Sequence, residues 1–292
     1  MVEAGRRFIV GLIGSDLGPS LSPQLHEREA DELGIRYVYQ PIDVDELGLG
    51  AEDVGELVAQ ARRLGFAGLN ITHPCKQTVV KHLDGLSPEA AKLGAVNTVV
   101  FTALGTTGHN TDWAGFVAGF ERGLPNAAID KVVLLGAGGA GAAVAYALVR
   151  MGVRRLTVVD VVVERAHRLI EVLGTVRGAD VPPLVLTSSP TIEDAAADVA
   201  AADGLVNATP IGMSRPELPL PENMLRPDMW VADIIYRPLA TELLVRARAA
   251  GSRTLNGGGM VVAQAAEALR LITGAEPDLE RMYRHFAELT AT

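Results

Sequence analysis

Two groups of residues in this chain have the types and spacing to do chemistry. The first is Gly136-Ala137-Gly138-Gly139-Ala140-Gly141, which follows the β-branched run Val132-Val133-Leu134-Leu135 and opens an alanine-rich segment ending near Arg150. Strand, tight turn and helix is the order in which a backbone can wrap a pyrophosphate. Gly136 permits the turn, Gly138 lets backbone approach the phosphates, and Gly141 lets the helix lie close to the strand. The N–H groups of the turn and the helix dipole then favour an anion. A second strand, Leu156 to Val159, ends at Asp160, about 19 residues past Gly141. A carboxylate there accepts hydrogen bonds from both hydroxyls of an adenine ribose and repels a 2′-phosphate, so the expected cofactor is NAD and NADP is disfavoured. A plain glycine-rich turn and an ordinary strand-end aspartate are the bland alternatives, and the correct order of elements weighs against both. The following Val161-Val162-Val163 offers no basic clamp for a phosphate. Arg165 is the nearest cation, able to stack on adenine or to weaken the NAD preference.

The second group is polar and lies in the first third of the chain. It comprises Ser20-Leu21-Ser22-Pro23, Asn70-Ile71-Thr72-His73-Pro74-Cys75-Lys76, Asn97-Thr98 and Asn110-Thr111-Asp112. Each stands beside an expected strand, and ligands of open α/β sheets bind outside the carboxyl ends of strands, so these residues are expected to converge on one crevice. Hydroxyls, amides, one ammonium and one carboxylate suit a small polyhydroxylated substrate. The chain shows no metal-ligand spacing and no serine-hydrolase elbow, so no metal is expected. His73, His109 and Cys75 adjoin these motifs, but such neighbours more often fix a turn than act, and none is assigned to catalysis.

The elements that must position these groups alternate between strand and helix. Phe8–Ile13, Tyr37–Ile42, Gly68–Thr72 and Asn97–Phe101 read as strands, with helices from Ser22 to about Leu33 and from Glu52 to Leu64. The expected fold class is α/β. A substrate domain spans 1–124, with a boundary in the loop Gly123-Leu124-Pro125-Asn126. A Rossmann-type dinucleotide domain spans 125–259, and helices in 260–292 pack back on the first domain. The low aromatic content, 4%, beside abundant Ala, Val, Leu and Gly suits helices packed closely on parallel strands. A net charge of −9 argues against general affinity for nucleic acid or anionic membrane, though a local cluster of donors can still hold a small anion. Cys75 is the only cysteine, which fits a reducing compartment. The apolar stretch after MVEAGRRF is broken by Gly14, Ser15 and Asp16, too early for a leader or membrane span, so a cytoplasmic location is expected. Monomer and homo-oligomer both remain open.

With these motifs assembled, the chain resembles the shikimate dehydrogenase family, including its quinate/shikimate branch. The resemblance runs nearly end to end, through S-x-S-P, N-I-T-H-P-C-K, G-A-V-N-T, N-T-D-W-A-G-F, G-A-G-G-A-G, N-A-T-P-I-G-M, D-I-I-Y-R-P-L-A-T-E-L-L and G-G-G-M-V-V-A-Q-A. It implies that Lys76 and Asp112 are the catalytic pair. Oxidation moves a hydride from the carbon bearing the 3-hydroxyl to nicotinamide while that hydroxyl loses a proton, and a positioned acceptor is needed. Which of the two holds the proton at each step stays open, and a structural ion pair is the alternative role. The resemblance further implies that Ser20 and Ser22 bind the substrate carboxylate, although serines before a helix more often cap it. Thr72, Asn97 and Gln264 are implied around the ring hydroxyls, with Tyr236 facing the carboxylate. Asn207-Ala208-Thr209-Pro210, Met213 and Gly257 are implied beside the nicotinamide. The NADP-using biosynthetic branch carries an Asn-Arg-Thr type clamp after the second nucleotide-domain strand, where this chain has Asp160-Val161-Val162. That favours the NAD-linked branch, whereas Ser22, a threonine in some quinate-accepting relatives, resembles the biosynthetic form. An aminoshikimate dehydrogenase and a non-catalytic dinucleotide sensor are the rival readings. Nothing in cofactor binding requires Lys76 and Asp112, which counts against the sensor.

Overall fold

The computed structural model describes residues 6–18, 20–176 and 184–291. Residues 1–5, part of the N-terminal stretch considered above, lie outside them. The chain forms two compact units, Met1–Thr111 with Val262–Thr292, and Asp112–Val261. Both are α/β.

The first unit contains β1 (Arg7–Gly14), α1 (Ser22–Glu32), β2 (Arg36–Asp43), α2 (Val54–Arg63), β3 (Gly68–Ile71), β4 (Gly85–Leu86), α3 (Pro88–Leu93), β5 (Thr98–Thr102) and β6 (Gly105–His109). Its sheet order is β2-β1-β3-β5-β6-β4. β1 runs parallel to β2 and β3, and β4 parallel to β6. β5 departs from the expected pattern: it runs antiparallel to both neighbours, because Gly105, at φ +142, turns the chain straight back into β6. The start of β5 therefore lies at the same edge as the ends of β1, β3 and β6, where Thr98 pairs with Asn70 and His109. One face of the sheet packs Val10, Leu12, Tyr37 and Tyr39 with Leu269 and Ile272, and the other packs Ile13, Leu69, Ile71 and Val99 with Val54 and Val58.

The second unit contains α4 (Asp112–Gly123), β7 (Lys131–Leu135), α5 (Gly139–Met151), β8 (Arg155–Val159), α6 (Val163–Gly174), β9 (Val185–Ser189), α7 (Ala196–Ala201), β10 (Gly204–Asn207), β11 (Trp230–Asp233), α8 (Glu242–Ala249) and β12 (Arg253–Leu255). All neighbours in its sheet are parallel, in the order β12-β11-β10-β7-β8-β9. This is the doubly wound arrangement, with its switch point between β7 and β10. Strands buried on both faces read as continuous apolar runs, as Val132 to Leu135 do. α9 (Gly258–Thr273) starts in this unit and continues in the first, which also holds α10 (Leu279–Thr290).

α4 belongs to the second unit, so the first unit ends at Thr111 and not at 124. The reason is packing. The α4 backbone at Gly119 lies against Gly259 and Met260, where a Cβ would come within 2.9 Å of Met260 N. Phe120 sets its ring edge-on to Trp230 at 4.9 Å. The loop 123–126 is a turn inside that unit.

α1 and α10 are joined by Glu29, fully buried, whose carboxylate accepts two bonds from the Arg281 guanidinium at 2.6 and 2.9 Å and one from Asp278 N–H. One turn earlier on α1, His26 lies between Tyr37 and Tyr39, its ring 4.7 Å from that of Tyr39. Burial alone lowers the His26 pKa from 6.5 to about 3, so the folded state holds it neutral. The unfolded chain takes up that proton first. Stability from this site is therefore full above about pH 6.5 and is lost as pH falls towards 3. Replacing His26 with Phe should flatten urea midpoints between those limits relative to wild type. An unchanged acid slope would assign it to other groups.

Candidate active site

The carboxyl edge of the first sheet is assembled by backbone before any side chain reaches a ligand. Thr72 N–H donates to Ile13 O and Ser15 N–H to His73 O, joining the ends of β1 and β3. A Cβ on Gly14 would fall 2.2 Å from Thr72 Cγ2, so only glycine permits that approach. Val96 N–H donates to Lys76 O at 2.8 Å, which brings the backbone of Lys76 beside the Val96-Asn97 segment. The loop leading to Ser20 and Ser22 is held by Asp43 at the end of β2, whose Oδ2 accepts Leu17 N–H at 2.8 Å. That bond is the main reason the Asp43 pKa lies below the usual carboxylate range.

Ser20 and Ser22 are both half-buried, and neither caps α1. Leu21 occupies the cap position without a side-chain bond, and Ser20 Oγ accepts Ser22 N–H at a long 3.3 Å. Asn97, 4% exposed, is the hub of this edge. Its Oδ1 accepts Thr111 N–H at 2.8 Å, and its Nδ2 donates to Thr111 Oγ1 at 2.9 Å and to Gln264 Oε1 at 3.1 Å. Thr111 Oγ1 also donates to the backbone carbonyl of Gln264. Sequence positions far apart thus meet at one knot, immediately before Asp112. Thr111 and Asn70 stood in the polar motifs without a role of their own, yet Asn70 also belongs to this network: Asn70 Nδ2 donates to Asn97 O and Thr98 Oγ1, and its Oδ1 accepts from Tyr39 Oη. Their presence inside the N-I-T and N-T-D motifs was the available signal. Thr72 and Lys76 are half-buried beside this knot. Cys75 is buried, and that burial pushes its thiol up to about 11, leaving it protonated at neutral pH.

In the second unit Asp112, 2% exposed, is the first residue of α4. The glycine-rich turn fits a pyrophosphate by a distinction among its own glycines. Gly136 has φ +96, and a Cβ on it would lie 2.9 Å from Ala208 O; on Gly141 a Cβ would lie 2.1 Å from Gly136 O. These two are required by the chain itself. A Cβ on Gly138 would meet nothing within 4 Å, and no side chain caps α5. The open side of the turn is thus at Gly138, where a phosphate would approach the N–H groups of Gly139, Ala140 and Gly141. Asp160 Oδ2 accepts Ala137 N–H at 2.7 Å and its Oδ1 accepts Val162 N–H at 2.8 Å, so the carboxylate is tied to the turn from the end of β8. Val161 is 88% exposed, and Arg165 is exposed in the first turn of α6. Asn207 is fully buried at the end of β10, and Ala208, Thr209, Pro210 and Met213 follow it, Met213 half exposed. Gly257 is buried, its N–H donating to Ile235 O, next to half-buried Tyr236.

Residues 12–99 match the profile described as the shikimate dehydrogenase substrate binding domain. The chain is 56% identical over 290 residues to a shikimate dehydrogenase (NADP(+)) of Streptomyces avermitilis, covering 98% of this chain and 97% of that one. The chain belongs to the shikimate dehydrogenase family. A quinate/shikimate dehydrogenase (NAD(+)) of Corynebacterium glutamicum is 48% identical, over 97% of this chain and 99% of that one. The solved quinate dehydrogenase from the same organism, in complex with NAD, superposes with a TM-score of 0.87 at 47% identity, covering 97% and 99% of the two chains. As a member of the family this chain is an oxidoreductase that acts on a CH–OH group of a small molecule and uses a nicotinamide dinucleotide. Among the described residues no helix is long and apolar enough to cross a membrane.

The glycines separate folding from binding in one experiment. Gly138→Ala should leave the thermal midpoint close to wild type and weaken cofactor binding about tenfold or more, roughly 1.4 kcal/mol. Gly141→Ala should lose about 1–3 kcal/mol of stability through overpacking as well. Equal cofactor affinity in Gly138→Ala and wild type would show that no phosphate approaches there.

Proposed function

We propose that this enzyme oxidises shikimate with NAD, releasing 3-dehydroshikimate. In this reading Ser20 and Ser22 hold the substrate carboxylate with Tyr236 facing it. Thr72, Asn97 and Gln264 orient the ring hydroxyls. Lys76 and Asp112 form the pair at the 3-hydroxyl, one of them taking its single proton as the carbon loses hydride. Bound nicotinamide supplies the hydride acceptor. The Asn97 side chain is fixed by Thr111 and Gln264, and the Gln264 side chain by Asn97 while Thr111 holds the Gln264 backbone carbonyl, so both suit an orienting role with little rotamer freedom left to lose on binding. Quinate, which carries the same carboxylate and secondary alcohol, is the second substrate to test.

The observation that carries the NAD reading is Asp160. Two backbone N–H bonds fix its carboxylate at the end of β8, and the apolar, exposed Val161 follows where a phosphate clamp would need a cation. A 2′-phosphate beside a fixed carboxylate meets repulsion of about 2–3 kcal/mol per unit charge at roughly 6 Å and an effective dielectric near 20. NADP is the second reading. It is favoured by exposed Arg165 and by the names of relatives at 56% and 51% identity, both shikimate dehydrogenase (NADP(+)).

Turnover with NAD and NADP, each against shikimate and quinate, decides between them. NAD with shikimate should give the highest kcat/KM. A tenfold advantage for NADP, about 1.4 kcal/mol, would overturn the cofactor assignment. Lys76→Ala should depress kcat by about 10²–10⁴-fold while the cofactor dissociation constant stays near wild type. A variant keeping more than about a tenth of wild-type turnover would remove Lys76 from the proton-transfer step.

A further inference from the structure

We propose that Asp233, a buried carboxylate at the end of β11, is a positioning residue that ties three cofactor-side turns into one geometry. It rests on the reading that the segment after Asn207 borders the nicotinamide. Asp233 is 1% exposed, and none of the roles given above uses it. Its Oδ1 accepts from Asn207 Nδ2 at 3.2 Å and from Ile235 N–H at 3.1 Å. Its Oδ2 accepts from Thr241 Oγ1 at 2.7 Å, and the same hydroxyl oxygen caps α8 by accepting Leu244 N–H.

Asn207 commits its remaining capacity to the turn that follows it. Its Oδ1 accepts Thr209 Oγ1 at 2.6 Å and Thr209 N–H at 3.1 Å, and its Nδ2 also donates to Ile211 O. Ile235, whose N–H is held by Asp233, accepts Gly257 N–H on its carbonyl. A Cβ on Gly257 would fall 2.0 Å from Ile234 O, so these backbones are in direct contact. One carboxylate therefore links the Thr209–Met213 turn, the bend leading to Tyr236, the start of α8 and, through Ile235, Gly257.

The chemistry of the site requires an acceptor. All three neighbours donate here, and a carboxylate offers acceptors on both oxygens where an amide offers only one. No cation among the described residues pairs with it, and burial pushes its pKa up against those three bonds. A group this costly to desolvate is a poor choice for packing alone, because an apolar residue would fill the same volume without the penalty. What the carboxylate adds is a fixed relation among turns whose displacement by about 1 Å costs of order 10²-fold in rate.

Asp233→Asn places an amide NH2 among donors while conserving shape. The test compares kcat, the cofactor dissociation constant, the thermal midpoint and the primary isotope effect with shikimate deuterated at the oxidised carbon. Asp233→Asn should lower kcat about tenfold or more and raise the isotope effect on kcat, with cofactor affinity changed less than about threefold. Thr241→Val should move the same way to a smaller extent, and Thr241→Ser, which keeps the hydroxyl, should stay within about twofold of wild type. Val231→Ala, a core truncation in the same unit, supplies a control for stability loss alone. If Asp233→Asn and Val231→Ala slow turnover alike without altering the isotope effect, Asp233 is merely structural and the proposal fails. Should Asp233→Asn not fold, the Thr241 pair decides by the same criteria. Met213→Ala separates the two readings. If it changes the isotope effect while Asp233→Asn does not, the border reading stands and the positioning role falls. If Met213→Ala changes neither affinity nor rate while Asp233→Asn slows hydride transfer, the positioning role stands and the border reading falls.

Discussion

Where a parallel strand ends, its last N–H and C=O groups run out of ladder partners, yet the chain must turn there without leaving donors unsatisfied. In this protein a short polar side chain meets that demand at the ends of four parallel strands, and Asn97 does the same just before the antiparallel β5. Asp43 accepts Leu17 N–H, Asn97 accepts Thr111 N–H, Asp160 accepts Ala137 N–H, Asn207 accepts Thr209 N–H, and Asp233 accepts Ile235 N–H. Four of these bonds reach into a turn carrying a candidate ligand-binding residue, and the fifth, from Asn97, fixes the residue just before Asp112. The loops are therefore held by the same rule that holds the sheets. Their shape depends on acceptors placed at fixed strand positions, not on packing of the loops themselves.

This arrangement divides the polar residues by how much of their hydrogen-bonding capacity is already committed. Asn207 is saturated by the protein, and Asp233 already accepts three bonds; both are buried, so they can set geometry but have little left to offer a ligand. Ser20, Ser22, Thr72 and Lys76 are only half-buried, which leaves surface for contact with a substrate. Asn97 is committed on both amide hydrogens and on Oδ1, and its half-buried partner Gln264 lies between the two groups at the same carboxyl edge. A site built this way is rigid where it must orient and exposed where it must touch, which is the requirement for holding a secondary alcohol near its attack geometry.

Much of this was legible in the sequence, for particular reasons. The glycine-rich turn could be read because three of its four glycines have separate physical causes, and the Cβ distances at Gly136 and Gly141 bear out two of them. The α/β class followed from strand and helix periods that do not depend on tertiary context. The direction of β5 could not be read, since side-chain alternation is the same for parallel and antiparallel strands and only the tight reversal at Gly105 decides it. The end of the first unit was misplaced because a Gly-Pro-Asn loop signals a turn, whereas membership of a unit depends on which core receives Phe116 and Phe120. The roles of Thr111 and Asp233 escaped for a related reason. A hydrogen bond between positions 153 residues apart, as between Thr111 and Gln264, leaves no periodic trace.

Asp160 illustrates how the strand-end rule constrains function as well as form. Its carboxylate closes the turn through Ala137 N–H and Val162 N–H, each oxygen still carrying an unused lone pair, so holding the loop and reading a ribose hydroxyl are compatible in one residue. They are not independent. Converting the position to a neutral or basic residue to admit a 2′-phosphate would also withdraw the acceptor that fixes Ala137, at the very turn where the pyrophosphate is expected to sit. A chain that prefers NADP must therefore supply that acceptor with a neutral oxygen, as an asparagine or serine side chain can, before a cation nearby is of any use. Cofactor choice in this fold is thus a coupled change of loop support and charge, and a single exposed arginine such as Arg165 supplies only the second half.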